Sequence, residues 1–598
     1  MQTLNDVHQQ FASLFNNKVI EPYAYLLSQK MSDGHICINL LNIKNELPKD
    51  FPYKSFDGNI QSLISQTELV SQDPLNKKPF IIQNELLYLQ RYYSYESIIF
   101  KKILSFLELE RSEYGKRKND LLSQKAFIKK LFDDQSSADG LSDEEKIDWQ
   151  LAAATNTILN NFTIITGGPG TGKTTTVAKI LAVLYTLNPN EKVALAAPTG
   201  KAAMRMAESL RNATIPVSNE LKEKFNQLKP YTIHRLLKFK KDSPYFKHNE
   251  MDPINYDTVI IDESSMMDVA LFAKLISAIK PTSRLILLGD KNQLASVEAG
   301  SIFGDLCETP YEANSILKDR QTLINSFIDS SDKTITDKYV IPANNHPLLH
   351  HIIELKRSRR FKGNEGIGKL SKSIITSNIK ELAVFFDNKD PQIFFDIEYN
   401  TSLFENFILN YRLYIEEANI AEALKKINEL RVLCAVRESE EGVYAMNKRI
   451  ESILRSKGLI ETTNEFYHNR PIIVTSNNYH LGLFNGDVGI IRNNGTQTLA
   501  WFEDSEVGVK SVLPGFITSF ETVYAMTIHK SQGSEYNQVL VVLPKAGQNA
   551  ILTRELFYTG VTRAKTKAIV QASKEVSEKT ALERVQRVSG ICNRFNQI

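Results

Sequence analysis

At 598 residues, with 42% hydrophobic and 24% charged residues, the chain is too long for one core and has the composition of a globular protein of about three or four domains. A formal net charge of +3 rules out polyanion binding through overall basicity, so any basic surface must be local. The cysteines Cys37, Cys307, Cys434 and Cys592 are far apart and form no C-x-x-C pair, which argues against structural zinc and a disulfide framework.

In chain order, Met1–Val7 does not read as a signal peptide, and no run of about 18 apolar residues follows. The expectation is a cytoplasmic protein with no membrane partner. Residues 1–115 carry no catalytic pattern. Ile36–Leu40 suits a short strand, and Tyr95, Ile98, Ile99, Ile103, Phe106 and Leu107 recur at the spacing of an amphipathic helix. Arg91-Tyr92-Tyr93 interleaves a cation with aromatic rings, which suits nucleic acid, a partner protein, or a helix packed on its own small core. The small, polar stretch 133–140 reads as a linker, taken to occupy 116–140. Ser142-Asp143-Glu144-Glu145 has the form of a capping box and predicts a helix through Ile147, Trp149, Leu151 and Ala154.

The apolar run Phe162–Thr166 leads into Gly167, Gly168, Pro169, Gly170, Thr171, Gly172, Lys173, Thr174, Thr175 and Thr176, and then into a helical stretch, Val177–Leu184. Strand, glycine loop and helix in that order form a phosphate cradle: glycines turn backbone N–H groups inward, and the helix adds free N–H groups and the positive end of its dipole. Lys173 reaches β- and γ-phosphates in such a loop, and the Thr174 hydroxyl is placed to ligate Mg²⁺. The loop predicts that the protein binds a nucleoside triphosphate.

Phe162–Thr166, Val193–Ala197, Thr258–Ile261 and Leu285–Leu288 alternate with helical stretches, predicting a parallel α/β sheet whose ligand sits at the carboxyl ends of the strands. The third strand ends in Asp262-Glu263, a Walker B pattern in which Asp262 holds Mg²⁺ and Glu263 deprotonates the attacking water. The fourth ends in Gly289-Asp290-Lys291-Asn292-Gln293, where Gln293 is a candidate γ-phosphate sensor. Thr199 and Lys201, in Ala197–Ala203, and His234, in Thr232–Leu237, suit either a phosphodiester backbone or a helix cap and a solvated face. Ser330–Asp332 and Ile341–Asn345 mark a boundary region. A second α/β unit follows, without a P-loop of its own but with arginines in Leu355–Phe361, as if completing the first site across a cleft. From 466 to 520, short strands (Pro471–Val474, Gly489–Ile491, Leu499–Phe502 and Val507–Val509) alternate with Asn-Asn, Asn-Gly and Asp-Ser turns and read as a small inserted barrel.

Thr527–Glu535 and Tyr558–Lys565 complete an ordered series that resembles the motifs of superfamily 1 helicases. The spellings Gly167–Thr176, Thr232–Leu237, Leu481–Asp487 and Met526–Glu535 are similar to those of the RecD family, the alpha subunits of the RecBCD helicase–nuclease. The resemblance runs from about 140 to 575 and is looser around Tyr88–Tyr92. It implies an α/β fold of two RecA-like P-loop helicase domains, at 141–335 and at 336–465 with 521–598. It also implies an SH3-like β-barrel insertion at 466–520 and a mostly helical, partner-docking N-terminal domain at 1–115. The implied activity is ATP- and Mg²⁺-dependent 5′–3′ DNA helicase action on single-stranded and double-stranded DNA ends, in a heterotrimer with RecB-like and RecC-like subunits. By the same resemblance Gln150 contacts adenine, Arg360 and Arg563 are arginine fingers, and Thr199, Lys201, His234, Asn477, Thr527 and His529 contact DNA. Outside the Walker B acids no carboxylate cluster suits a two-metal nuclease, so DNA cutting is expected in a partner chain. Two alternatives remain: a stand-alone RecD-like helicase, disfavoured by the short N-terminal region, and a non-translocating ATP-dependent clamp subunit.

Overall fold

The computed structural model describes residues 6–598 apart from 74, 134–139, 241–242, 343–345, 362–364, 479, 505–507 and 546–550. Most of the expected linker 133–140, the end of the boundary stretch at 343–345 and Val507 of one expected strand lie outside the described residues.

The four strands predicted around the P-loop form a six-stranded sheet in the order Ile352–Leu355, Phe162–Gly167, Arg284–Gly289, Thr258–Ile261, Val193–Ala197 and Pro230–Thr232. Every pair is parallel, with Ile165 beside Leu288 and Ile261 beside Leu287. These strands are near-continuous apolar runs because helices cover both faces. The edge strand Ile352–Leu355 lies beyond the expected boundary at 335, so the first unit extends past it. Its strand pairs directly with the strand that feeds the P-loop, Ile353 opposite Ile165.

A second parallel sheet has the order Ile393–Asp396, Ala564–Gln571, Tyr536–Val542, Leu430–Cys434 and Ala525–Thr527. Between Leu430–Cys434 and Ala525–Thr527 the chain leaves to build a five-stranded antiparallel sheet. Its order is Gly508–Val512, Thr498–Asp504, Val488–Asn493, Pro471–Val474 and Phe520–Thr522. Ile472, Ile491, Ala500 and Phe502 fill its own small core.

The N-terminal region adds a four-stranded sheet to the helices expected there: Cys37–Asn39, Leu86–Leu89, Phe80–Gln83 and Val70–Ser71. Its core includes Tyr23, Leu26, Phe80 and Leu87. The predicted amphipathic helix runs Gln90–Ser123, and Lys125–Phe132 is helical as well. Residues 116–123 and 125–132 are therefore helical where a linker was expected; Leu121, Ile128, Leu131 and Phe132 are buried against the first unit, which fixes them. Nor does the long helix pack on a separate core. Ile99, Ile103 and Phe106 share one cluster with Phe162 and Leu285 of the parallel sheet. The capping box at Ser142 forms, but its helix covers only Asp143–Lys146. Asp148 then caps a new helix, Trp149–Leu159, by accepting from the Leu151 N–H.

After its last long helix, Lys574–Leu582, the chain doubles back as a strap. Arg584 pairs with Glu308 at 2.9 Å, and Arg587 donates to the Glu298 and Gly300 carbonyls at 3.2 and 3.3 Å. The Val588 N–H donates to His35 Nδ1 at 3.1 Å, Arg594 pairs with the fully buried Glu96 at 3.0 Å, and Phe595 meets Phe100 with ring centroids 5.0 Å apart. No helix among the described residues is long and apolar enough to cross a membrane.

Candidate functional site

The phosphate loop connects Phe162–Gly167 to the helix Lys173–Leu187. Gly170 and Gly172 adopt φ of +77° and +83°, which a side chain would strain. Close approach adds to this: a β-carbon on Gly170 would lie 2.4 Å from the Arg360 Cβ, and one on Gly172 would lie 2.5 Å from the Gln150 amide. Lys173 Nζ folds into the loop and donates to the carbonyls of Gly167 at 2.6 Å and Gly168 at 3.2 Å. Thr171 Oγ1 donates to the Gly168 carbonyl at 2.9 Å, tightening the turn. Gln150 donates to the Thr171 carbonyl at 3.4 Å and accepts from Lys179 at 3.3 Å, which sets it at the rim of the loop. A narrow cleft of about 50 Å³ there is lined by Trp149, Gln150, Thr171, Leu355 and Arg357.

The Walker B acids follow Thr258–Ile261. Asp262 Oδ1 accepts the Glu263 N–H at 2.8 Å, and Glu263 takes a left-handed φ of +51°, uncommon outside glycine. Desolvation, then the neighbouring Glu263, pushes the Asp262 carboxyl up to about 6, while Lys173 and Arg205 pull the other way. An acid held this way gains from a bound cation.

The sensor segment follows Arg284–Gly289. Gln293 Nε2 donates to Asp290 Oδ2 at 3.2 Å, and Tyr558, from the second unit, donates to the same oxygen at 2.9 Å. The Leu294 N–H donates to Thr559 Oγ1 at 3.1 Å, and Gln532 donates to the Leu294 carbonyl at 2.8 Å. The segment after Gln293 is thus gripped by the second unit on both sides.

Ser358–Arg360 rests directly on the phosphate loop. The Arg359 N–H donates to the Gly170 carbonyl at 2.8 Å and Ser358 Oγ to the Pro169 carbonyl at 3.0 Å. Arg360 donates from Nη2 to Glu535 Oε1 at 2.5 Å, and Arg205 meets the other Glu535 oxygen at 3.2 Å. Burial works to raise the Glu535 carboxyl, but Arg360 and Arg205 outweigh it and hold it below the usual range. Arg563 is buried (4% exposed), donating to the carbonyls of Thr559 at 3.2 Å and Ser534 at 3.3 Å. Sequence reasoning gave no role to Glu535 or Tyr558, although both stand inside the stretches Thr527–Glu535 and Tyr558–Lys565. A β-carbon on Gly168 would lie 3.1 Å from the Tyr558 hydroxyl, so this ring borders the loop itself.

The donor set fits a nucleoside triphosphate with a divalent cation. Among the described residues, Gln293 Oε1 and Arg360 Nη1 are buried without a hydrogen-bond partner, an acceptor and a cationic donor flanking the loop that carries Lys173. Thr174 and Asp262 would hold the cation.

The candidate DNA contacts lie in three places: the first sheet, the second sheet and a loop of the inserted sheet. Thr199 caps Gly200–Arg211 by accepting the Ala202 N–H at 3.3 Å, and Thr527 accepts the Lys530 N–H at 3.2 Å. Thr199 therefore serves as a helix cap in this state, and Thr527 closes the turn that follows its strand. Asn477 Oδ1 accepts the Asn485 N–H at 2.9 Å and shapes the loop of the inserted sheet. Desolvation pushes Lys201, His234 and His529 down, so the two imidazoles favour the neutral form; Arg587 adds to this at His529. His234 packs edge-on to Phe246, ring centroids 5.6 Å apart. Thr199, Lys201 and His234 lie at the carboxyl edge of the first sheet, Thr527 and His529 at that of the second.

A family model described as an AAA domain matches residues 150–299, and one described as a UvrD-like helicase C-terminal domain matches residues 522–571. The chain is 34% identical over 559 residues to the RecBCD enzyme subunit RecD of Haemophilus influenzae, covering 87% of this chain and 82% of that one. It is 32% identical over 590 residues to the RecBCD enzyme subunit RecD of Mycolicibacterium smegmatis, covering 96% and 93%. Among solved structures, a crystal structure of Bacteroides Pif1 bound to ssDNA aligns with a TM-score of 0.38 at 16% identity, covering 72% of this chain and 93% of that one.

Proposed function

The chain belongs to the RecD family of RecBCD enzyme subunits, and from that premise we propose how its site couples ATP to movement along DNA. It is an ATP-dependent DNA helicase of the RecBCD complex, acting in DNA repair. In our reading the two parallel sheets are the cores of two RecA-like motor domains, and the inserted antiparallel sheet is a small barrel of the SH3 type. Lys173 steadies the β- and γ-phosphates, Thr174 and Asp262 hold Mg²⁺, and Glu263 takes the proton of the attacking water. Bound ATP supplies the phosphoryl group whose loss relaxes the cleft. Arg360 and Arg563 stabilise the charge that develops on it, and Gln293 reports its presence.

The observation that carries this reading is the reach of the second unit to the first sheet's site: Tyr558 donates to Asp290 of the sensor segment and borders Gly168 of the phosphate loop, and Glu535 pairs with Arg360, which lies against Gly170. A site assembled from both halves changes their spacing whenever its occupancy changes. If the halves grip the strand alternately, each cycle advances the protein 5′ to 3′, the family's direction. RecB-like and RecC-like chains complete the enzyme and supply the nuclease. Among the described residues no group of three or more His, Cys, Asp or Glu side chains is arranged to hold a metal ion.

The test is strand displacement of a 5′-tailed duplex by the assembled complex, with wild type compared to Lys173→Gln under conditions where only this motor engages the tail. Displacement by wild type and its loss in the variant are expected. ATP turnover without displacement or tracking would leave the clamp reading in its place.

A further inference from the structure

The loop Leu481–Asp487 of the inserted sheet holds one aromatic side chain out toward the first motor domain. Its shape is set locally: the Phe484 N–H donates to Asp487 Oδ2 at 2.8 Å, the Asn485 N–H to Asn477 Oδ1 at 2.9 Å, and Gly486 takes a φ of +95°. The loop is closed at its base by a bridge between Asn478 and Leu483. Phe484 then spans the gap between domains. A β-carbon on Gly200 would meet its ring at 3.5 Å, and the Arg235 guanidinium lies over the ring, 5.9 Å from its centroid.

Gly200 follows Thr199, and Arg235 follows His234. The ring therefore occupies the space between the two first-domain segments assigned above to the DNA strand. A β-carbon at 200 would sit in ordinary van der Waals contact with the ring, so Phe484 packs directly against the start of the helix Gly200–Arg211. In this space Phe484 offers a π-face and the Arg235 guanidinium beside it offers donors and positive charge. A flat ring beside phosphate-binding groups is how sequence-tolerant single-strand sites are built, because every base has a face to stack.

We propose that Phe484 is a positioning residue for the translocated strand: a base of single-stranded DNA stacks on its ring, displacing the Arg235 guanidinium toward the phosphates. The inference rests on the helicase reading. It adds that the inserted sheet, carried by the second domain, contributes a base contact at the first domain's end of the track. The strand would then be held there by a group that moves with the opposite half of the motor.

The full-length chain is titrated with a fluorescein-labelled dT oligonucleotide, as wild type and as Phe484→Ala, Phe484→Leu and Phe484→Trp. Loss of one stacked base weakens binding by about 10-fold in the alanine variant. Phe484→Leu keeps an apolar contact with Gly200 and controls for folding, yet is expected to weaken binding nearly as much. Phe484→Trp is expected to bind as wild type, with tryptophan emission quenched by unlabelled oligonucleotide beyond any change at the native Trp149 and Trp501. Wild-type binding by Phe484→Leu together with unquenched emission in Phe484→Trp would overturn the proposal and leave the ring as a latch between domains. Failure of the wild type itself to bind the oligonucleotide would instead count against the helicase reading.

Discussion

The Tyr558 hydroxyl donates to Asp290 Oδ2 at 2.9 Å, joining a helix of the second unit to the acid that also holds the Gln293 amide. Asp290 is buried, and desolvation raises its carboxyl; the Lys173 charge, then the Asn292 N–H, Tyr558 and Gln293, partly counter that. Removing the hydroxyl with Tyr558→Phe leaves the ring in place but takes one donor from a buried acceptor, a loss of about 1.5–3 kcal/mol where the acceptor is charged. The expected result is a DNA-stimulated ATPase reduced about 10-fold with DNA affinity preserved, measured by steady-state turnover against DNA concentration. Unchanged coupling would mean that this bond is not part of the signal.

Glu263 sits in a left-handed backbone conformation at the end of a buried strand, a geometry that aims a carboxylate and contributes little to packing. Glu263→Gln is expected to slow hydrolysis by about 10²- to 10⁴-fold while ATP binding persists, because the amide can accept a hydrogen bond but cannot take the proton. Nucleotide binding by equilibrium dialysis beside single-turnover hydrolysis separates the two.

Arg360 and Arg563 are both candidate fingers, yet the structure sets them apart. Arg360 has one buried nitrogen unpaired, whereas Arg563 is committed to two main-chain carbonyls. Arg360→Ala is expected to lower kcat by about 10³-fold with a small change in the KM for ATP, and Arg360→Lys should not restore it because the fork geometry is lost. Arg563→Ala should in addition lower Tm, since it leaves the Thr559 and Ser534 carbonyls short of donors. A wild-type kcat for Arg360→Ala would remove it from the transition state.

His35 accepts the Val588 N–H with a neutral ring. Burial, assisted by Lys30 and Arg587, pushes its pKa from 6.5 to about 4. Because the detached state takes up the proton first, stability from this contact is complete above about pH 6.5 and is lost as the pH falls from there toward 4. Hydrogen exchange across 583–598, corrected for the intrinsic rate, should therefore show protection falling between pH 7 and 5 in wild type and a flatter response in His35→Phe. Equal protection at both pH values would count against the linkage.

What the sequence made legible was local chemistry. The P-loop, the Walker B acids and Gln293 each follow a strand ending that can be read within about ten residues, and all three lie at one edge of one sheet. Partners separated by hundreds of residues were not legible. Glu535 acquires its role only from Arg205 and Arg360, and Tyr558 only from Asp290. Ile352–Leu355 looked like the start of a new domain because nothing in four residues says which sheet they will join. The helical stretch 116–132 reads as linker because charged and polar side chains are interspersed along it and only Leu121, Ile128, Leu131 and Phe132 are buried. The terminal strap is too short to show a periodicity, and its anchors, Ile591 and Phe595, declare themselves only against Tyr88 and Phe100.

That strap is also a tether of fixed length. The last helix of the second unit ends at Leu582, the Glu583 carbonyl and Val585 N–H still bond to Arg554 and Glu555 of that unit, and the strap is secured to the N-terminal region from Val588 onward, so residues 583–587 span the gap between them. Even if Arg584 and Arg587 let go, five residues extend by no more than about 3.5 Å each. The stroke is thereby capped, and any wider excursion of the second domain must pull on the N-terminal region. A protein bound to residues 1–115 would feel that pull, and by holding still it would shorten the stride of the motor.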